Sequence, residues 1–193
     1  MFDSMNTSAN QLRLNPLTQQ WVIYAPGRGT RPGHAQRDTA SADTQPERDP
    51  QCPFCPGNEA MLPEVTDEIR NGSGRWLTRV VPNKYPALVA DQPVENTDAG
   101  PYATMGAFGI HEVVIETPYH NQDLRQLPAG DVEQVLETYR RRIRAIGKQY
   151  DAVETVIVFR NHGPSSGTSL IHPHSQLIAL PTVPKSIRDK EAV

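Results

Sequence analysis

The residues with the clearest capacity for chemistry are two histidines separated by a proline, in the run His172-Pro173-His174-Ser175-Gln176. In extended backbone alternate side chains share a face, so His172, His174 and Gln176 are expected to point the same way. A neutral imidazole, with an unperturbed pKa of about 6.5, attacks phosphorus and forms a labile phosphoramidate. His174 is therefore suited to carry a nucleotidyl group between two acceptors. Gln176 can donate to a non-bridging phosphoryl oxygen, while Ser169 and the backbone amides of the Gly167-Thr168-Ser169 loop are placed to take others. Pro173 stiffens the spacing. On residue types alone the same pair also fits a metal site or an ordinary surface position.

Three other groups of residues permit chemistry. Cys52 and Cys55 are the only two cysteines and are spaced Cys-x-x-Cys, with Pro53, Pro56 and Gly57 fixing a tight turn. That spacing suits a metal knuckle, a redox dithiol or two unrelated thiols. Arg28 and Arg31 sit in a Gly-containing loop and read either as solvated surface or as a phosphate clamp. Arg140, Arg141, Arg142 and Arg144 cluster on one helical segment and read as a solvated face.

The elements that must position these groups are strands, loops and one long helix. Residues 1–10 are polar and read as disordered, and 11–193 as one domain. Leu12 to Thr18 and Gln19 to Tyr24 flank an Asn-Pro signal and read as an antiparallel hairpin. Residues 33–50 are poor in apolar side chains and read as a mobile loop. Arg75 to Val81 and Ile110 to Glu116 are strand-like, separated by a loose loop through Gly100 to Gly109, and Thr155 to Phe159 reads as a buried strand. Val132, Val135, Leu136, Tyr139, Ile143 and Ile146 recur at helical spacing after Asp131, the expected N-cap, and form an expected core stripe. Strands joined by loops around a single strong helix indicate an α+β domain with a largely antiparallel sheet.

Composition excludes several classes of partner. The chain has 193 residues, 37% hydrophobic and 21% charged, with a net charge of -3. This balance offers no general attraction to nucleic acid or an anionic membrane. No apolar run is long enough to span a bilayer and residues 1–10 lack a signal-peptide core, so the expected location is cytoplasmic.

Taken together and in order, Asn15-Pro16-Leu17-Thr18, Trp21-Val22, Arg28, Arg31, Cys52-Pro53-Phe54-Cys55-Pro56-Gly57, Val81-Pro82-Asn83-Lys84-Tyr85-Pro86, Gly109-Ile110-His111-Glu112-Val113, Phe159-Arg160-Asn161-His162-Gly163 and the opening motif resemble the galactose-1-phosphate uridylyltransferase family, a branch of the histidine-triad superfamily. The resemblance implies a histidine-triad-like domain, with a mainly antiparallel half-barrel sheet and one long helix. It implies that His174 forms the covalent nucleotidyl intermediate and that Gln176 holds the transferred phosphoryl group. Ser169, in the loop with Gly167 and Thr168, would contact the β-phosphate or sugar phosphate, and Asn161 would lie near the α-phosphate. Arg28 and Arg31 would line the phosphates, with Asn83, Lys84 and Tyr85 in the nucleoside segment.

The resemblance further implies a structural zinc held by Cys52, Cys55, His120 and His172. His111 competes with His120 as third ligand, and the Thr-Pro-x-His turn favours His120. The implied activity moves UMP from UDP-glucose to galactose 1-phosphate. Alternatives within the family are an ADP- or UDP-sugar phosphorylase or hydrolase, or a zinc-stabilised nucleotide-binding module inactive alone. The run around His111 is similar to the branch that includes ADP-glucose phosphorylases. The implied partners are a nucleotide sugar and a sugar 1-phosphate. Family members have two such halves and this chain resembles the first, so completion is expected from a homodimer or a separate second-half chain.

Overall fold

A computed structural model of the chain describes residues 9–30, 45–99, 102–163, 166, 168 and 170–191. Two antiparallel sheets organise them. The first has strand order β2-β1-β6-β5, from β1 (Gln11–Leu14), β2 (Trp21–Tyr24), β5 (Thr97–Ala99) and β6 (Tyr102–Gly106). The second has order β3-β4-β7-β9-β8, from β3 (Asp67–Arg70), β4 (Trp76–Pro82), β7 (Ile110–Ile115), β8 (Thr155–Phe159) and β9 (His174–Leu180). Every ladder is antiparallel. With α1 (Ala129–Gln149) and the short α2 (Lys185–Glu191), the chain is an α+β fold.

The expected β1–β2 hairpin is present, and its turn has a local cause. Asn15 Oδ1 accepts from the backbone N–H groups of Leu17 and Thr18 at 3.0 and 3.2 Å, an Asx turn closed by Gln19 at φ 57. The region read as a loose loop is instead the β5–β6 hairpin, and β6 pairs with β1 across about ninety residues of sequence. Its few apolar side chains hid it, because the order comes from that non-local ladder. Strand β3 likewise gave no apolar pattern.

Parity along the strands divides the second sheet into two faces. Thr78, Glu112, Ser175 and Leu177 point to α1; Val81, His111, Val113, His174 and Gln176 point to the opposite face, which carries the site. Helix α1 is anchored by Thr78 Oγ1 on Thr138 Oγ1 at 2.6 Å and by Tyr139 on Ser175 at 2.8 Å. Ile146, Leu177 and Ala179, all fully buried, complete the contact.

The helix differs from its sequence pattern in three ways. It begins at Ala129 after Pro128, so Asp131 lies in the first turn rather than at the N-cap, where its charge still complements the helix dipole. Leu136 and Ile143 of the expected core stripe are 58% and 40% exposed. Arg142, expected on a solvated face, is buried and forms a bidentate pair with Glu112, at 2.9 and 2.7 Å. The buried face of α1 thus runs through Val135, Thr138, Arg142 and Ile146. Strand β8, expected to be buried, is the half-buried edge of its sheet.

A second core joins the two sheets through Leu12, Leu88, Met105, Ala107 and Leu180. Gly109 permits their close approach: at φ +149, a Cβ there would lie 2.1 Å from the Ala179 carbonyl oxygen.

Candidate functional site

The site face holds two adjoining arrangements, of which the first is a closed cluster of metal-ligand type. Cys52 and Cys55 come together in a tight turn, with Cys55 N–H on the Cys52 carbonyl at 3.2 Å. One ligand atom from each of Cys52, Cys55, His120 and His172 lies within 4.8 Å of the others, and all four residues are buried. Cys55 Sγ is 3.4 Å from His120 Nδ1 and 3.6 Å from His172 Nδ1. A tetrahedral zinc with ordinary bond lengths gives an S···N edge of about 3.6 Å, so the donor set fits that ion. His172 Nε2 donates to the Thr117 carbonyl at 2.8 Å, which aims Nδ1 into the cluster. Burial pushes the Cys52 thiol up to about 12 and the His172 imidazole down to about 4. A bound cation supplies the charge that lets such thiols ionise. His120 is held from behind, its N–H on the Glu47 carbonyl at 2.9 Å.

Phe54, between the two cysteines, links this cluster to the second arrangement. Its ring meets His172 edge-on at 5.9 Å and His174 at 5.4 Å. His174 lines a pocket of about 590 Å³ whose walls combine two kinds of side chain. The polar lining comprises Arg28, Asn83, Lys84, Asn161, Thr168 and Gln176, and the apolar lining includes Phe54, Met61, Leu62, Pro63, Phe159 and Leu170. None of the described lining residues is acidic. Basic and hydrogen-bonding side chains together with apolar and aromatic ones suit a phosphate ester that carries a planar aromatic group.

Within the pocket His174 Nδ1 lies 2.8 Å from the His172 backbone carbonyl. A carbonyl only accepts, so Nδ1 carries the proton and the ring lone pair is on Nε2. Gln176, two residues along β9, shares that face. Its Oε1 is 2.9 Å from His111 Nε2 and 3.3 Å from Asn83 Nδ2.

Comparison with known proteins places the chain in a family. Residues 1–184 match the model of the galactose-1-phosphate uridyl transferase N-terminal domain. The chain belongs to the galactose-1-phosphate uridyl transferase family. It is 34% identical over 190 residues to the ADP-glucose phosphorylase of Arabidopsis thaliana, covering 97% of this chain and 53% of that protein. It is also 34% identical over 181 residues to the galactose-1-phosphate uridylyltransferase of Thermotoga maritima, covering 93% and 49%. The crystal structure of the Arabidopsis thaliana ADP-glucose phosphorylase with bound ADP-glucose superposes with a TM-score of 0.64 at 33% identity, covering 94% of this chain and 52% of that one. The chain thus spans about half the length of the relatives it matches.

Within this uridyl transferase family fold, the expected site residues fall as follows. His174, Gln176, Arg28, Asn83, Lys84, Tyr85, Asn161 and Thr168 all line the one pocket. Arg28 is also bound to the chain, donating to the Tyr85 carbonyl. Arg31, Gly167 and Ser169 lie outside the described residues, as does most of the expected 33–50 loop; its final part is packed, with the Gln45 carbonyl accepting from Asn121 at 3.1 Å. The cluster takes His120 and leaves His111 in β7, on Gln176. His172 lies just ahead of β9, so its ring enters the cluster while that of His174 enters the pocket. The apolar residues Met61, Leu62, Pro63 and Leu170 were not legible as site residues, since no local pattern distinguishes them from core.

No helix among the described residues is long and apolar enough to cross a membrane.

Proposed function

We propose that this chain transfers a nucleotidyl group from a nucleoside diphosphate sugar, by way of a covalent nucleotidyl–His174 intermediate. Nε2 of His174 attacks the α-phosphorus, the bond from that phosphorus to the bridging oxygen breaks, and sugar 1-phosphate leaves with the electron pair. In the second step an acceptor oxygen attacks the same phosphorus and returns the lone pair to Nε2. The observation that carries this is the His174 Nδ1 contact with the His172 carbonyl, which selects the nucleophilic nitrogen and stabilises the imidazolium as it forms.

The remaining groups divide by chemistry. Gln176 donates to a non-bridging oxygen of the transferred phosphoryl group. Arg28, Lys84, Asn161 and Thr168 neutralise or hydrogen-bond the phosphates, with Arg31, Gly167 and Ser169 as further candidates from the same loops. Asn83 and Tyr85 border the nucleoside, whose base packs against apolar lining residues. Cys52, Cys55, His120 and His172 hold a structural zinc, whose four protein ligands leave no open position. The ion's part is to fix the segment that presents His174.

For the donor and acceptor we take UDP-glucose and galactose 1-phosphate, in a cytoplasmic enzyme of hexose metabolism; the names of the uridylyltransferase relatives support the uridylyl group and galactose 1-phosphate. ADP-glucose with inorganic phosphate is the second reading, favoured by the 34% identity to an ADP-glucose phosphorylase over 97% of the chain. Turnover of each nucleotide sugar with hexose 1-phosphate, phosphate or water separates them. Release of sugar 1-phosphate from at least one donor is expected; release from none, with the chain folded, loaded with zinc and supplied with a second copy or second-half chain, would overturn the proposal. Binding without turnover until a second copy or second-half chain is added would place completion of the site in that partner.

A further inference from the structure

We infer that His111 is a positioning residue for nucleotidyl transfer, because it fixes the Gln176 amide with its oxygen turned toward β7 and its NH2 group toward the transferred phosphoryl group. The orientation follows from two backbone donors that have no alternative role. The Ala87 N–H points at His111 Nδ1 at 3.0 Å, so Nδ1 is an acceptor and the ring proton resides on Nε2. The Tyr85 N–H points at Asn83 Oδ1 at 2.9 Å, so the other end of the Asn83 amide is the NH2 group. Both assigned donors converge on the same Gln176 atom, His111 Nε2 at 2.9 Å and Asn83 Nδ2 at 3.3 Å. An atom approached by two N–H groups is the amide oxygen. The 3.0 Å between Asn83 Nδ2 and His111 Nε2 is then two donors flanking one acceptor rather than a bond between them.

The consequence bears on the reacting group. Among the described residues the Gln176 NH2 group meets no acceptor, and Gln176 lines the pocket on the same strand face as His174. A flipped amide would set its oxygen against a phosphoryl oxygen that gains charge during transfer. A lone glutamine on a strand has two orientations of similar energy; the lock leaves one. His111 also keeps Asn83 in register, accepting the Asn83 N–H on its own carbonyl at 2.8 Å. Four separated segments, at residues 83–85, 87, 111 and 176, thus set one donor. His111 is buried, with 6% exposure, so this is an indirect effect through Gln176.

The inference rests on the nucleotidyl-transfer reading, and three measurements separate the two. The first is the rate of label transfer from radiolabelled nucleotide sugar to the protein, at saturating donor, in wild type, His111→Leu, His111→Met and His111→Gln. Loss of one preorganised oxyanion donor commonly costs about 10²–10³ in rate, and Asn83 retains part of the lock, so a fall of about tenfold or more is expected for Leu and Met. The second is donor affinity by calorimetry, which should change by no more than about twofold; in the rate, Gln, which restores an N–H at similar reach, should recover most of the loss. Zinc content and melting temperature confirm that each variant is folded. A wild-type rate in either folded apolar variant, or no recovery in a folded Gln variant, would overturn the positioning role. The third measurement uses wild type alone: imidazole ¹⁵N shifts must show His111 with its proton on Nε2, and an Nδ1–H signal would overturn the lock whatever the variants do. Absence of label on wild type would count against the nucleotidyl-transfer reading instead, with the tautomer signal still deciding whether the lock exists.

Discussion

The backbone carbonyl oxygen of His172 lies 2.8 Å from Nδ1 of His174, while the His172 ring belongs to the Cys52, Cys55, His120 cluster. One residue therefore serves the metal-type site with its side chain and the pocket histidine with its main chain. Displacement of the His172 ring would move the carbonyl that sets the tautomer of His174, so an ion held by the cluster would be coupled to the proposed nucleophile without touching it.

Removal of the metal should consequently affect stability and transfer together. Prolonged chelation, or Cys55→Ser, should lower the melting temperature by about 10 °C or more and abolish nucleotidyl transfer. Added zinc should restore both to the chelated wild type. Thermal melts with metal content measured in parallel test this; an unchanged melting temperature in verified metal-free protein would contradict it.

Arg142 and Glu112 form a bidentate pair between α1 and β7, and both are buried. Arg142→Leu leaves the carboxylate without a partner in an apolar setting and should cost about 3–5 kcal/mol in urea denaturation. Replacing both residues with leucine should recover most of that loss, because the uncompensated charge is gone. A loss below about 1 kcal/mol for the single variant would show that Glu112 finds another partner.

The Arg160 guanidinium bridges Glu116 at 2.9 Å and Asp123 at 2.7 Å. Burial tends to raise the Asp123 carboxyl, but Arg160, the Leu124 N–H and His162 outweigh it and hold the group below its ordinary 3.8. Such a group binds fewer protons folded than unfolded. Its stabilisation is complete above a pH of about 3.8 and is lost as the pH falls through the lower, folded value. Asp123→Asn should therefore be less stable than wild type by about 1–2 kcal/mol at neutral pH, with the gap closing below pH 4. Acid release of zinc is common to both proteins, so the difference isolates the carboxylate; a gap independent of pH would contradict the assignment.

Much of this architecture was legible because its signals are local. The β-branched runs at Trp76–Pro82 and Ile110–Ile115 announce strands, while the choice of His120 over His111 beside the two cysteines is legible through the family resemblance at the Thr-Pro-Tyr-His turn. What was not legible depends on contacts distant in sequence. β5 and β6 are ordered by β1 rather than by apolar content of their own. Arg142 lies among three solvent-facing arginines and differs from them only because Glu112, thirty residues earlier, faces it. His111 has the residue type of a metal ligand, and its contact with Gln176 emerges only when three strands and a loop are assembled.

The central claim is that His174 is the nucleophile. Incubation of the zinc-loaded chain with UDP-glucose or ADP-glucose, followed by intact-mass and peptide analysis, should show one nucleotidyl group per chain, located on His174. His174→Ala should retain zinc and its melting temperature and gain no nucleotidyl group. A wild-type protein that turns over nucleotide sugar without any adduct, or an adduct that persists in His174→Ala, would contradict the claim.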